Sequence, residues 1–218
     1  DPSATQIQTD LAYLHNYTTV HIGGKPVVFV YNAGATGCAE VSKWKNATQG
    51  FTTWYVNMKV FAGFASCPDQ PSSWHQYGPA SAEAVHLPYS FNISPGFWHH
   101  DEATPRLTRD PTRWAGNVAH LKAANAQWKL VTSFNEWGEA TSVEPSPSWQ
   151  SPSGWGSYLN ELHNQLVAGV PAPSPSPWPH AAPSILRFLI PCPRRARCAW
   201  STALSAAGPR SATWATAT

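Results

Sequence analysis

Two glutamates three residues apart, Glu136 and Glu139, are the residues in this chain best suited to chemistry. They lie in the run Ser133-Phe134-Asn135-Glu136-Trp137-Gly138-Glu139, which packs an amide, two acids, an indole and a flexible backbone position into five residues. Cleavage of a glycosidic bond asks for two carboxyl groups flanking it, one able to give a proton and one charged. Two acids held close cannot both ionise easily, so proximity itself divides those roles. By spacing alone, such a pair is more often two solvated loop acids. Their position just after an apolar run, beside Asn135 and Trp137, favours the catalytic reading.

The apolar run is Leu130 to Phe134, whose composition predicts a short strand buried on both faces. Upstream, Ile7, Leu11 and Leu14 give one apolar face to a helix over Thr5 to Tyr17. Val27 to Tyr31 reads as an interior parallel strand followed by Asn32, and Ala39 to Gln49 as a helix. A second strand is expected within Thr52 to Phe64, then a polar and aromatic loop from Pro68 to Pro79 and a short helix over Ala80 to His86. Tyr89 to Ile93 is a third strand, stopped by Ser94-Pro95-Gly96. Asp110 followed by Pro111 predicts a capped helix start running to Gln127, and Gly154 to Ala168 a last helix. Strands alternating with helices imply parallel βαβ units. The fold class expected is therefore α/β, a (β/α)8 TIM-type barrel; with four clear strands in 170 residues against the ~250 of a whole barrel, the chain would hold its C-terminal half. On this reading residues 1–170 are the partial barrel and 171–179 (PAPSPSPWP) an extended Pro/Ser linker. Residues 180–218 are then a low-complexity basic tail expected to be disordered, or sequence foreign to the native reading frame.

Of the 218 residues, 42% are hydrophobic and only 12% charged, with 12 Trp, eight Phe and seven Tyr. Flat apolar side chains fill cores first, and they also stack on the apolar faces of sugar rings. The net charge of +2 hides a split: residues 1–170 carry nine basic and 12 acidic residues, a net −3, and the tail carries five Arg and no acid. An acidic body with a basic tail gives no footing for a nucleic-acid partner. The longest apolar run of the tail, Ile185 to Ile190, is too short to span a bilayer. Cys38, Cys67, Cys192 and Cys198 show no zinc spacing, and Cys38 with Cys67 is a possible disulfide in a secreted protein. The sequons at Asn16 and Asn46 point the same way, with a weaker one at Asn92. The expected location is the secretory pathway or outside the cell. The chain shows no signal peptide and begins at Asp1 without Met, as a mature form or a fragment would.

The segment from Ser133 to Glu144 resembles the Ser-Phe-Asn-Glu-Trp-His-Glu-Gly-Thr-Gln-Ile-Glu motif of the endo-α-mannosidases in glycoside hydrolase family 99, and more closely related bacterial proteins with Gly at the sixth place. Ser94-Pro95-Gly96-Phe97 is similar to that family's Pro-Gly-Tyr strand end, and Lys25 to Tyr31 to its Gly-Lys-Pro-Val strand. The resemblance covers about residues 7 to 168. It implies a (β/α)8 barrel cleaving α-mannosides or related α-linked glycans with retention and without a metal or other cofactor. It further implies that Glu136 acts as base on the substrate 2-hydroxyl, giving an epoxide-like intermediate, and Glu139 as acid/base. Asn135 and Trp137 would shape the sugar site. Gly138 and Ala140 depart from the mannosidase motif, which has His and Gly there. The partner is thus an oligosaccharide or polysaccharide. Trp98 is the expected stacking platform, with Tyr31 and Asn32 as further substrate contacts. Trp74 and Trp149 are core residues by default, Glu144 a neighbour of the motif, and Arg106 and Arg109 either orient hydroxyls or form salt bridges. His99-His100-Asp101-Glu102 invites a metal reading, against which adjacent side chains are expected to diverge, so a polar loop is preferred. Two other functions remain open: a carbohydrate-binding or inactive relative, and a glycosyl-transferring enzyme of polysaccharide biosynthesis.

Overall fold

The computed structural model describes residues 2–18, 20–31 and 37–167. Asn32, Cys192, Cys198, the Pro/Ser linker and the basic tail lie outside the described residues.

Two of the helices start where the sequence supplies side-chain caps. Helix α1 (Ala4–Leu14) begins at Ser3, whose hydroxyl accepts from the Gln6 N–H, and it buries Ile7 and Leu11. Helix α2 spans Cys38–Ala47. Helix α3 (Pro111–Ala123) is capped by Asp110, which accepts from the backbone of Thr112 and Arg113, with Pro111 in the first turn. Helix α4 spans Ser157–Leu166. These caps satisfy amide hydrogens that the first helical turn leaves without partners.

Two sheets carry the strands. The first has the order β1 (His21–Ile22), β2 (Lys25–Val30), β3 (Tyr55–Lys59) and β4 (Ser73–His75); the second has β5 (Glu83–His86), β6 (Ser90–Ile93) and β7 (Trp128–Val131). Within them, β2, β3 and β4 run parallel, as do β6 and β7, while β1 and β5 pair antiparallel with their neighbours.

The expected TIM-type barrel, or its C-terminal half, is therefore corrected. Among the described residues the strands form two small sheets in a mixed α/β arrangement, and no barrel closes. Two local differences underlie this. Residues 83–86, expected to be helical, form a strand: the segment is too short for a stable helix before Leu87-Pro88, and hydrogen-bonding partners on β6 are available. The segment expected as a loop from Pro68 to Pro79 contains β4, which continues the parallel register of β3. The strand preceding the acids also differs, spanning Trp128–Val131 at the edge of its sheet with only Leu130 buried, instead of an interior strand buried on both faces.

Two apolar clusters hold these elements. One joins α1 and α2 to the first sheet through Ile7, Leu11, Val41, Val56, Met58 and Trp74. The other joins α3 and α4 to the second sheet through Ile93, Trp114, Val118, Leu121, Val143 and Tyr158. Fully burying one such side chain contributes roughly 1.5–3 kcal/mol. The sheets meet at Gln127, which accepts from Ser73 Oγ at 2.8 Å and donates to the Tyr55 hydroxyl at 2.5 Å. Trp128 packs edge-on to Phe29, with ring centroids 4.9 Å apart.

Cys38 and Cys67 form a disulfide that ties the start of α2 to the loop after β3 across 29 residues of sequence. Closing a loop of that length restricts the unfolded chain by about 3–4 kcal/mol in the chain-entropy model. A Cys38→Ser, Cys67→Ser double variant is expected to lose stability of that order in denaturant titrations. Wild-type protein should move toward the same midpoint when reductant is added.

Candidate functional site

Residues beyond the C-terminal ends of β4 and β6 meet at Glu139. Beyond β4, Tyr77 donates its hydroxyl to Glu139 Oε2 at 2.6 Å. Beyond β6, the Trp98 N–H donates to the Glu139 carbonyl at 3.0 Å. Beyond β2, Tyr31 meets Tyr77 edge-on, with centroids 5.3 Å apart. At the end of β3, the Lys59 ammonium lies 4.3 Å from the centre of the Tyr31 ring. Two strand ends thus reach the segment that follows β7 directly, and two more connect to it through Tyr77.

That segment is fixed by its own hydrogen bonds. The Thr132–Ser133 peptide is cis. Ser133 Oγ accepts from the Glu136 N–H at 3.0 Å and pairs with Thr141 Oγ1 at 2.7 Å. The Thr141 N–H donates back to the Glu136 carbonyl at 3.2 Å, closing the turn that carries both acids. Gly138 lies against Glu136: a Cβ there would stand 3.2 Å from Oε1, so a side chain would press on the carboxylate. Arg109 holds the far side, donating to the carbonyls of Ala140 and Ser142 and stacking 4.2 Å over the Trp149 ring. Arg109 therefore positions the loop. Arg106 pairs with Glu102 and covers Phe97.

Tyr77 is the group that Glu139 holds directly. Burial raises the Tyr77 hydroxyl pKa well above the ordinary phenol value, and the hydrogen bond to Glu139 and the charges of Glu139 and Glu136 add to it. Tyr77 is thus a neutral donor at all ordinary pH. Glu136 and Glu139 are half-buried, and Asn135 is exposed. Trp137 is 50% exposed, donates its indole N–H to Glu144 Oε2 and stacks on Trp149 at 5.4 Å with nearly parallel rings. Trp98 is 48% exposed and lines a hollow of about 240 Å³ with Phe97, Leu107, Arg109 and Ala140. A larger hollow of about 400 Å³ near Pro145, Gln150 and Gly156 has no titratable side chain in its lining.

Of the residues expected from sequence, Glu136, Glu139, Trp98 and Tyr31 therefore stand around one set of strand ends. Trp137 turns toward Trp149 and Glu144, and Asn32 lies outside the described residues. Trp74 is buried in the core. His99, His100 and Asp101 do not diverge: they bring possible ligand atoms within 4.8 Å of one another, and His99 Nδ1 bonds Asp101. That bond raises the His99 pKa.

Sequence reasoning passed over Lys59, His75 and Tyr77. The available signal was a period of two, with Ser73, His75 and Tyr77 on one face of a segment dismissed as loop. His75 is buried, with Nδ1 3.3 Å from Asn57 Oδ1. Burial, assisted by the Lys59 charge, lowers its pKa to about 4.

Two measurements check this arrangement. In the unfolded chain His75 titrates near 6.5, so its contribution to stability is complete above that pH and is lost as pH falls toward 4, by about 3 kcal/mol in all. Denaturant titrations from pH 7 to 4 should show this loss, and His75→Gln should flatten it. For the Tyr77–Glu139 contact, a double-mutant cycle of Tyr77→Phe with Glu139→Gln is expected to give a coupling of about 1–3 kcal/mol.

Comparison of the chain with protein-family models, with curated proteins and with solved structures gave no match in any of the three.

Proposed function

We propose that the chain is a glycoside hydrolase acting on α-linked, α-mannoside-like glycans by a two-glutamate retaining mechanism, and a relative of glycoside hydrolase family 99. The observation that carries this reading is that Glu139, on one hydrogen-bonded turn with Glu136, accepts from Tyr77 at the C-terminal ends of parallel strands. In open α/β sheets ligands bind at such ends. The motif residues from Ser133 to Glu144 supply the family resemblance.

In the proposed reaction Glu136 takes the proton of the substrate 2-hydroxyl. The 2-oxygen closes on C1 while the C1–oxygen bond to the leaving group breaks, and Glu139 gives that oxygen a proton. Water then opens the epoxide at C1, losing a proton to Glu139, while Glu136 returns one to the 2-oxygen. Both glutamates recover their starting states, and two inversions at C1 amount to retention. Tyr77, held neutral, keeps its hydrogen bond to Glu139 Oε2 and fixes the direction in which the carboxyl group presents itself. Exposed Trp98 offers a ring face for the sugar.

The disulfide and the exposed Asn16 and Asn46 of two sequons support a secretory location. No helix among the described residues is long and apolar enough to cross a membrane.

Glu136→Gln and Glu139→Gln are each expected to lower kcat on α-mannan or α-glucan oligosaccharides by roughly 10²–10⁴-fold, read as released reducing ends. Wild-type turnover that survives both substitutions sinks the assignment. Glycan binding by wild type without any turnover returns the chain to the carbohydrate-binding reading.

A further inference from the structure

Lys59 and His75 face each other in register at the ends of β3 and β4, and cross-strand partners in a parallel pair project to the same side. The Lys59 ammonium is half-buried over Tyr31. Burial lowers its pKa, and no carboxylate contributes to that shift. Among the described residues no acid lies within ion-pair distance of it. Residues 32–36, next along the chain from Tyr31, contain no acid either. His75, buried and neutral near pH 7, adds no second positive charge. A partly desolvated cation without a counter-charge is costly to keep, and such groups gather where ligands bind.

Contacts connect this cation to the acids. Lys59 covers Tyr31, Tyr31 meets Tyr77 edge-on, and Tyr77 donates to Glu139. A basic group thus stands at one end of a row of aromatic rings and the two glutamates at the other.

We propose that Lys59 binds the carboxylate of a uronosyl residue in the glycan, one that lies away from the bond cleaved at Glu136 and Glu139. This rests on the glycosidase reading of those two acids. A single ammonium, with no arginine fork beside it, suits one carboxylate better than a phosphate dianion. Tyr31 supplies an apolar ring face beside the charge. At the opposite end the glutamates repel a second carboxylate, so the ring at the cleaved bond is neutral.

The test compares two disaccharides that differ only at C6, α-glucuronosyl-1,2-mannose and α-glucosyl-1,2-mannose, by calorimetric binding to the full chain. Wild type is expected to bind the uronoside about tenfold more tightly, with the preference shrinking as salt is added. Lys59→Met should abolish the preference, and Lys59→Arg, which keeps the charge, should retain part of it. Equal binding of both sugars by wild type, or a preference that survives Lys59→Met, overturns the proposal. Because the Lys59 comparison reads binding and the glutamate variants read released reducing ends, loss of the glycosidase reading registers separately.

Discussion

The hydrogen bond from Tyr77 to Glu139 is the contact on which the site depends. It joins the first sheet to the segment that follows the second, at the ends where both run parallel. Without it the acids would belong to a surface loop after an edge strand. With it, one carboxylate has a fixed neighbour and both share an environment that discourages ionisation of the phenol. At 2.6 Å the bond sits at the short end of the range for a hydroxyl donor, and its geometry is specific.

The remaining structure can be understood as support for that contact. The Gln127 bridge and the packing of Trp128 on Phe29 hold the sheets at the distance it requires. Arg109 secures the outer side of the acid-bearing turn through two carbonyls, and the Trp98 N–H secures the inner side through a third. None of these groups is an obvious reactant. Each removes a freedom that the acid-bearing turn would otherwise have.

Much of the local structure was legible. Asp110 and Pro111 announced the start of α3, and Ile7 and Leu11 identified the buried face of α1. A strand before Glu136 and Glu139 was also readable from the apolar run, but it stops at Val131 instead of running to Phe134. The sheet arrangement was not legible, and the barrel expected in its place fails because of short elements. A three-residue strand such as Ser73–His75 leaves only a short alternation to detect, and its polar members looked like loop. Residues 83–86 carry no intrinsic bias strong enough to outweigh a partner strand. Sheet membership is decided by such partners, which lie far away in sequence. The same blindness hid Tyr77 and Lys59, whose importance comes from what the fold sets beside them.

Asn92 illustrates a different consequence of the packing. Its side chain is buried between β6 and β7, where Nδ2 donates to Thr132 Oγ1 at 2.7 Å, yet it heads a glycosylation triplet with Ile93 and Ser94. Asn16 and Asn46 remain on the surface. In a cell that glycosylates this chain, a sugar at Asn92 could be attached only before the chain packs over that face of β6, and its bulk would then block the packing. Occupancy at Asn92 would therefore mark molecules caught before folding, and its absence beside glycans at the other two sites would mark those that folded first.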